Sequence, residues 1–466
     1  MQAILLVDIG STFTKLVALD LDDERILGEA KSPSTVETDV TIGMQRALDS
    51  LNKTIGGKIS FKSKLGCSSA AGGLRMAVIG LVPDLTTEAA KRAALGAGAK
   101  VIRVFSYKLT KNEIVDLERN SPDIILLAGG TDGGNKETIL YNARTIAKSK
   151  LKVPIIVAGN KEVSDDVEAI LLSNKKDVKV VENVMPEFGQ INVENARSMI
   201  RQLFIEKIIE SKGLRKAESL LDSIIMPTPT SVLNAAKLLS NGGMGDLIIV
   251  DVGGATTDVH SIGKGSSHKS EVVLKGLPEP YAKRTVEGDL GIRYNAQSIM
   301  EVGKEYLIKE IVYFGGSGIN YEERVKSLSQ NISFLPRSDE DIALDHSLAA
   351  IAVEVAMERH TGKYEIVYTP HGQVCLQYGK DLTEFKHVIG TGGIFAYGKN
   401  PKGILRKAVY SNEKPFLLSP KYPTFYVDRN YILYAIGLLA EVDKGKAYRI
   451  GKKYLTRVGE EVTSTE

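Results

Sequence analysis

The chain has 466 residues, 43% of them hydrophobic and 25% charged, which suits a globular protein of two to four domains. Its 60 basic and 57 acidic residues leave a formal net charge of +3, too small to imply a nucleic-acid-binding surface. Two cysteines, Cys67 and Cys375, exclude a disulfide framework or zinc spacing and fit a reducing cytoplasm; no apolar run reaches membrane-spanning length, and no basic leader precedes the first strand.

In chain order, residues 3–7 read as a buried strand that ends in Asp8-Ile9-Gly10-Ser11-Thr12, with residues 15–20 as its hairpin partner. Residues 26–30 form a third strand and residues 41–51 have helical spacing. An extended stretch over 59–67 then runs into a small-residue turn, residues 68–73, which reads equally as tight packing or as a ligand contact. Arg75 reads as solvent-facing or in a surface pair rather than as a phosphate contact.

From residue 85 to 184 helices and strands alternate, with strands at 100–104, 124–128, 154–158 and 178–182. That rhythm implies a parallel sheet with helices on its faces, expected as an inserted domain over residues 85–190. Open parallel sheets bind ligands at the carboxyl ends of their strands, so Gly129 to Asn135, in AGGTDGGN, is the candidate site of the insert. The same loop reads equally as a connection with Asn135 as a helix N-cap. A long amphipathic helix is expected over 194–211, and Pro227 and Pro229 break the chain before a helix at 231–239.

Residues 247–262, LIIVDVGGATTDVHSI, repeat the first hairpin: VDVGGATTD at 250–258 matches VDIGSTFTK at 7–15. Strand, glycine turn, strand gathers backbone N–H groups into a concavity that suits phosphate oxygens. The expected donors are the amides of Gly10, Ser11, Thr12, Gly253, Gly254 and Ala255, with hydroxyls at Thr256 and Thr257. Asp8, Asp251 and Asp258 are the expected Mg2+ ligands, acting through water because magnesium sheds water reluctantly. Two copies in separate halves of the chain imply a duplicated fold with phosphates held between related lobes. Further on, TVEGDLGIR at 285–293 carries Glu287 and Asp289, which read as catalytic acids or as caps of a following helix. A glycine stretch lies at 311–319, and helices are expected at 344–358 and 431–440, the latter small-faced at Ala435 and Gly437.

These stretches carry a resemblance. DIGST at 8–12 and DVGGATTDV at 251–259 resemble the two phosphate motifs of the superfamily of actin, sugar kinases and heat-shock-chaperone ATPases. VIGTGGIF at 388–395 resembles its adenosine motif, with Gly390, Thr391, Gly392 and Gly393 against the nucleoside. More narrowly, DIGSTFTK, CSSAAGGLRM, AGGTDGGN and VEGDLGIR resemble the glutamate mutase L family over nearly the whole chain. The resemblance implies an α/β, duplicated actin-like (ribonuclease H-like) two-lobe ATPase fold with an inserted α/β domain. Residues 1–84 would open the first lobe and 191–245 lead to a first connecting helix. Residues 246–430 would form the second lobe, and 431–466 a second connecting helix and tail.

It further implies binding and hydrolysis of ATP with Mg2+. Asp8 and Asp251 would be the catalytic carboxylates, and Asp289 the base in a kinase alternative. The implied role is a reactivating chaperone that promotes release of damaged cobalamin from an adenosylcobalamin-dependent mutase, glutamate mutase or a related aminomutase. A small-molecule kinase and a non-hydrolysing nucleotide sensor are the alternatives. Two departures stand out: Ala255 replaces the third glycine usual in the chaperone ATPases, and no lysine matches their catalytic lysine, Lys15 being adjacent in sequence and expected only as a nucleotide contact.

Overall fold

The computed structural model describes residues 2–35, 38–69, 74–210, 220–265, 272–317, 320–370 and 372–458. Residues 70–73 of the small-residue turn, 266–271, 318–319 of the later glycine stretch and the tail from 459 lie outside them. The chain divides into two compact units, one made of Met1–Ala70, Lys212–Lys275 and Glu279–Glu466, the other of Ala71–Ser211 with Gly276–Pro278.

The larger unit is built on a duplication visible in its sheets. The first sheet runs Arg25–Pro33, Phe13–Asp20, Ala3–Ile9, Ser63–Ser68, Ser223–Pro227. Its first three strands are antiparallel, and the last two join Ala3–Ile9 in parallel. The second sheet repeats that order as Ala282–Glu287, Thr257–Ile262, Leu247–Val252, His387–Thr391, Thr424–Asp428, with Leu455–Arg457 added antiparallel at its edge. Two copies of one order, each opening with a glycine-turn hairpin, make the two-lobe actin-like fold. Ala3–Ile9 is buried throughout and Leu247–Val252 nearly so, as expected for central strands with both faces covered.

Helices Thr228–Leu239 and Leu433–Leu439 pack directly on each other between the lobes. Gly437 is required there, because a Cβ would overlap the Ser231 carbonyl oxygen, and Ser231 Oγ donates to the Tyr434 carbonyl at 2.6 Å. The second lobe also carries the long helix Asp339–His360, opened by a capping box between Ser338 and Asp341, and a separate three-stranded sheet of Val272–Lys275, Gly372–Tyr378 and Lys363–Thr369.

The smaller unit holds a five-stranded, wholly parallel sheet in the order Lys100–Ser106, Arg75–Gly80, Ile124–Leu127, Ile155–Val157, Val178–Val180. It starts ahead of residue 85 because Arg75–Gly80 is an inner strand of this sheet. Arg75 is not a free surface cation: its guanidinium donates to the Asn120 carbonyl at 2.7 Å, beside the end of helix Lys111–Asn120. Among the described residues no helix is long and apolar enough to cross a membrane.

Candidate functional site

Each glycine turn is closed by the same bond. Gly10 N–H donates to the Phe13 carbonyl at 3.1 Å, and Gly253 N–H donates to the Thr256 carbonyl at 2.9 Å. These two amides are therefore committed to the turns and are not phosphate donors, contrary to the expectation from the sequence. The next two amides in each copy differ: among the described residues, those of Ser11, Thr12, Gly254 and Ala255 meet no protein acceptor. The two turns approach each other closely, since a Cβ placed on Gly254 would lie 3.0 Å from Thr12 Oγ1. Four unpaired amides from two facing turns can hold an anion that presents oxygens on two sides.

The second turn is braced from behind by the 285–293 stretch. Ile292 N–H donates to the Gly253 carbonyl, and the amides of Arg293 and Tyr294 donate to that of Gly254. The Thr257 hydroxyl donates to the Leu290 carbonyl at 2.7 Å and so faces the core, while that of Thr256 donates to Asp258 at 3.0 Å. The methyl-bearing Ala255 is accommodated because its backbone packs on Gly291, where a Cβ would overlap it.

The two hairpins differ in charge at one matched position. Asp8 faces Lys15 across the first, Asp251 faces Asp258 across the second. Asp8 is buried and fully engaged: Oδ2 accepts from Lys15 Nζ at 2.8 Å and Oδ1 from Thr228 Oγ1 at 2.6 Å. Lys15 points inward, its Nζ lying 3.9 Å from the centre of the Tyr431 ring. Burial opposes its charge, but the Asp8 carboxylate and the Tyr431 oxygen outweigh burial and hold the ammonium above its ordinary value. Burial also raises the Tyr431 phenol.

Asp258 is engaged elsewhere, accepting on Oδ1 from Arg284 Nε at 2.9 Å and from a second guanidinium nitrogen at 2.6 Å. Asp251 has no such cation. Burial, then repulsion from Asp258, Asp8 and Asp428, pushes its carboxyl from 3.8 up to about 7, with Lys15 only partly offsetting them. Among the described residues no three acidic, histidine or cysteine side chains converge tightly enough to hold a metal by themselves. A magnesium ion bound here would be carried by Asp251 with water and ligand oxygens completing its shell, a donor set that suits the ion.

The adenosine-like stretch lies beside the second turn. Gly390, next to last in strand His387–Thr391, packs against the Phe395 ring, and the Thr391 hydroxyl donates to Asp428 at 2.9 Å. Gly392 has φ +105°, and a Cβ there would overlap the Val252 carbonyl, so only glycine passes. Gly393 has nothing within 4 Å of where its Cβ would be, leaving open backbone on that side. Asp289 lies on the brace, and Arg359 holds both its oxygens, at 2.8 and 3.0 Å, while also reaching Glu287 at 2.7 Å.

Thr228, Tyr431, Arg284 and Asp428 were missed from the sequence. Thr228 stands in the proline break before the expected helix at 231–239, Tyr431 reads as the first residue of the expected helix at 431–440, and Arg284 stands just outside the TVEGDLGIR stretch. In the smaller unit, the loop from Gly129 to Asn135 is tied down: buried Asn160 bonds to Gly133 and Gly134, and buried Asn183 to the Gly130 carbonyl and Asp132. Asn135 Oδ1 accepts from Thr138 N–H at 3.0 Å in the first turn of helix Glu137–Ala147, whose N-cap position is Lys136, one residue beyond the expected Asn135.

A family model described as MutL protein matches residues 4–455. Protein MutL of Clostridium tetanomorphum is 49% identical over 464 residues, covering 98% of this chain and all of that one. Among solved structures, component A of (R)-2-hydroxyglutaryl-CoA dehydratase from Acidaminococcus fermentans is similar at 11% identity and TM-score 0.33, covering 96% of this chain and 99% of that one. Xylulose kinase from Bifidobacterium adolescentis is similar at 12% identity and TM-score 0.32, covering 98% and 96%. The fold rests on the repeated sheet order. On the family match and the full-length relative, this chain belongs to the MutL protein family, the glutamate mutase L family that its motifs resemble.

Proposed function

We propose that this chain binds Mg-ATP between its two glycine turns and hydrolyses it slowly, in the cytoplasm, to reactivate an adenosylcobalamin-dependent mutase, with glutamate mutase the favoured partner. The observation that carries the nucleotide reading is the pair of facing turns with unpaired amides at Ser11, Thr12, Gly254 and Ala255. Phosphoryl transfer needs positioning and charge neutralisation more than covalent help, which is what such a cradle supplies. Hydrogen bonds to a charged phosphate contribute roughly 1.5–3 kcal/mol each. Losing those to the terminal phosphate is enough to shift a two-state closure of the lobes.

In this reading Lys15 meets the terminal phosphate as a cation, and Asp251 carries the magnesium through water. The bound ion would neutralise phosphate charge. Asp258 keeps Arg284 and is not a ligand of the ion. Gly390, Thr391, Gly392 and Gly393 give the adenosine a flat backbone surface. The engagement of both Asp289 oxygens by Arg359 speaks against Asp289 as the base of a small-molecule kinase. The mutase partner rests on the family name, and the release of damaged cobalamin on the family resemblance.

The test is phosphate release from Mg-ATP by wild type and Asp251→Ala, with and without cobalamin-inactivated glutamate mutase. Release that rises with the mutase and disappears in the variant supports the reading. Release indifferent to the mutase rejects the partner. Tight nucleotide binding without release rejects hydrolysis and favours a nucleotide sensor.

A further inference from the structure

We propose that Lys15 is a two-position contact that reports the terminal phosphate to both connecting helices, with Thr228 and Tyr431 as the residues that position it. This rests on the nucleotide reading above. Each oxygen of Asp8 leads to one helix. Oδ1 accepts from Thr228, the first residue of helix Thr228–Leu239. Oδ2 accepts from Lys15, whose ammonium lies over the ring of Tyr431, two residues before helix Leu433–Leu439. The helices then meet without slack at Gly437 and Ser231. A charge moving at Lys15 therefore acts on the starts of two helices already in backbone contact.

Tyr431 supplies a reason for movement. Its φ is +52°, a left-handed conformation that a bulky side chain adopts only when its surroundings hold it. The neighbours hold it from both lobes. Asp428 accepts from the amides of Ile432 and Leu433, Arg429 donates to the Phe395 and Gly398 carbonyls, and Asn430 donates to Glu29 of the first lobe. The Lys15 ammonium over the ring is the one of these contacts that a phosphate can compete for. When a phosphate oxygen draws Lys15 away, Tyr431 loses its cation and is free to leave the left-handed conformation. Helix Leu433–Leu439 then moves against helix Thr228–Leu239 about the Gly437 contact. Thr228 keeps Asp8 in place during the exchange.

The experiment is hydrogen exchange on the full chain with Mg-ATP and with Mg-ADP, for wild type, Tyr431→Leu and Tyr431→Phe. Wild type is expected to show an ATP-versus-ADP difference of about tenfold in exchange rate over 228–239 and 433–439. Tyr431→Leu, measured at saturating nucleotide, is expected to reduce that difference to within about twofold. Tyr431→Phe keeps the ring face and is expected to retain the difference. The relay is overturned if Tyr431→Leu keeps the full difference, if Tyr431→Phe loses it, or if wild type binds both nucleotides with no difference between them. Failure of wild type to bind any nucleotide overturns instead the functional reading on which the relay stands.

Discussion

Asp251 and Asp258 are register partners across the second hairpin, and only Asp258 has a cation, the Arg284 guanidinium at 2.6 Å. In the first hairpin the same two positions hold Asp8 and Lys15, which neutralise each other at 2.8 Å. The duplication thus leaves one acid short of a cation, inside the site and beside the open amides. Arg284 sets how much charge remains there, because without it two uncompensated carboxylates would face each other.

Arg284→Met is therefore expected to destabilise the chain by about 3–5 kcal/mol, the cost of a buried charge left without its partner. Adding Asp258→Asn should recover more than half of that loss. Urea unfolding of both single variants and the double variant measures the coupling, and strictly additive effects would contradict it.

Asp251→Asn is expected to abolish Mg-ATP hydrolysis and to stabilise the ligand-free chain. The sign follows from linkage: an acid raised from 3.8 to about 7 in the fold disfavours folding increasingly between those values, and fully above the upper one. The variant's advantage should thus be absent near pH 4 and reach about 1–2 kcal/mol above pH 7, discounted for partial exposure. Urea midpoints across that range would show it, and an advantage independent of pH would contradict it.

Two buried histidines govern the acid side. Burial first, then Arg284 at His260 and Lys283 and Lys380 at His360, hold both well below the ordinary 6.5. Neither ring nitrogen of His260 has a hydrogen-bond partner among the described residues. The unfolded chain takes up these protons below pH 6.5 and the folded chain does not, so stability is full above that value and falls below it, by about 1.4 kcal/mol per pH unit for each histidine. His260→Leu should lower that slope by about one proton's worth between pH 5 and 6. An unchanged slope in denaturant titrations would show that His260 does not contribute.

Gly437→Ala is expected to cost about 1–3 kcal/mol, since its methyl group would overlap the Ser231 carbonyl and force the two helices apart. Thermal unfolding followed by circular dichroism measures the cost. Gly393→Ala, which meets nothing within 4 Å, is the control and should melt within about 0.5 kcal/mol of wild type.

Asp289→Asn is expected to leave phosphate release within about threefold of wild type, because its carboxylate is occupied by Arg359 and serves the brace. A loss of a hundredfold or more would restore it as a base.

The two glycine turns were legible in the sequence because their defining contacts are local. A strand, an Asp-x-Gly turn and a return strand lie within about ten residues, so spacing alone reports the hairpin, and finding it twice in one register reports the duplicated fold. The alternating insert was legible for the same reason, although its inner strand Arg75–Gly80 follows a short turn that hides the period. Charge assignment was not legible. Thr228 reaches Asp8 across 220 residues, Arg284 reaches Asp258 from the next strand, and Tyr431 covers Lys15 from the far end of the chain. The sequence by itself determined that two phosphate-type turns exist and which amides they bring. Only the tertiary structure decided that Gly10 and Gly253 spend theirs on closing the turns, that Lys15 points inward, and that Asp251 alone among the three acids keeps an uncommitted carboxylate. Those outcomes depend on which distant side chains compete for each group, and pairing at such separations leaves no period in a sequence.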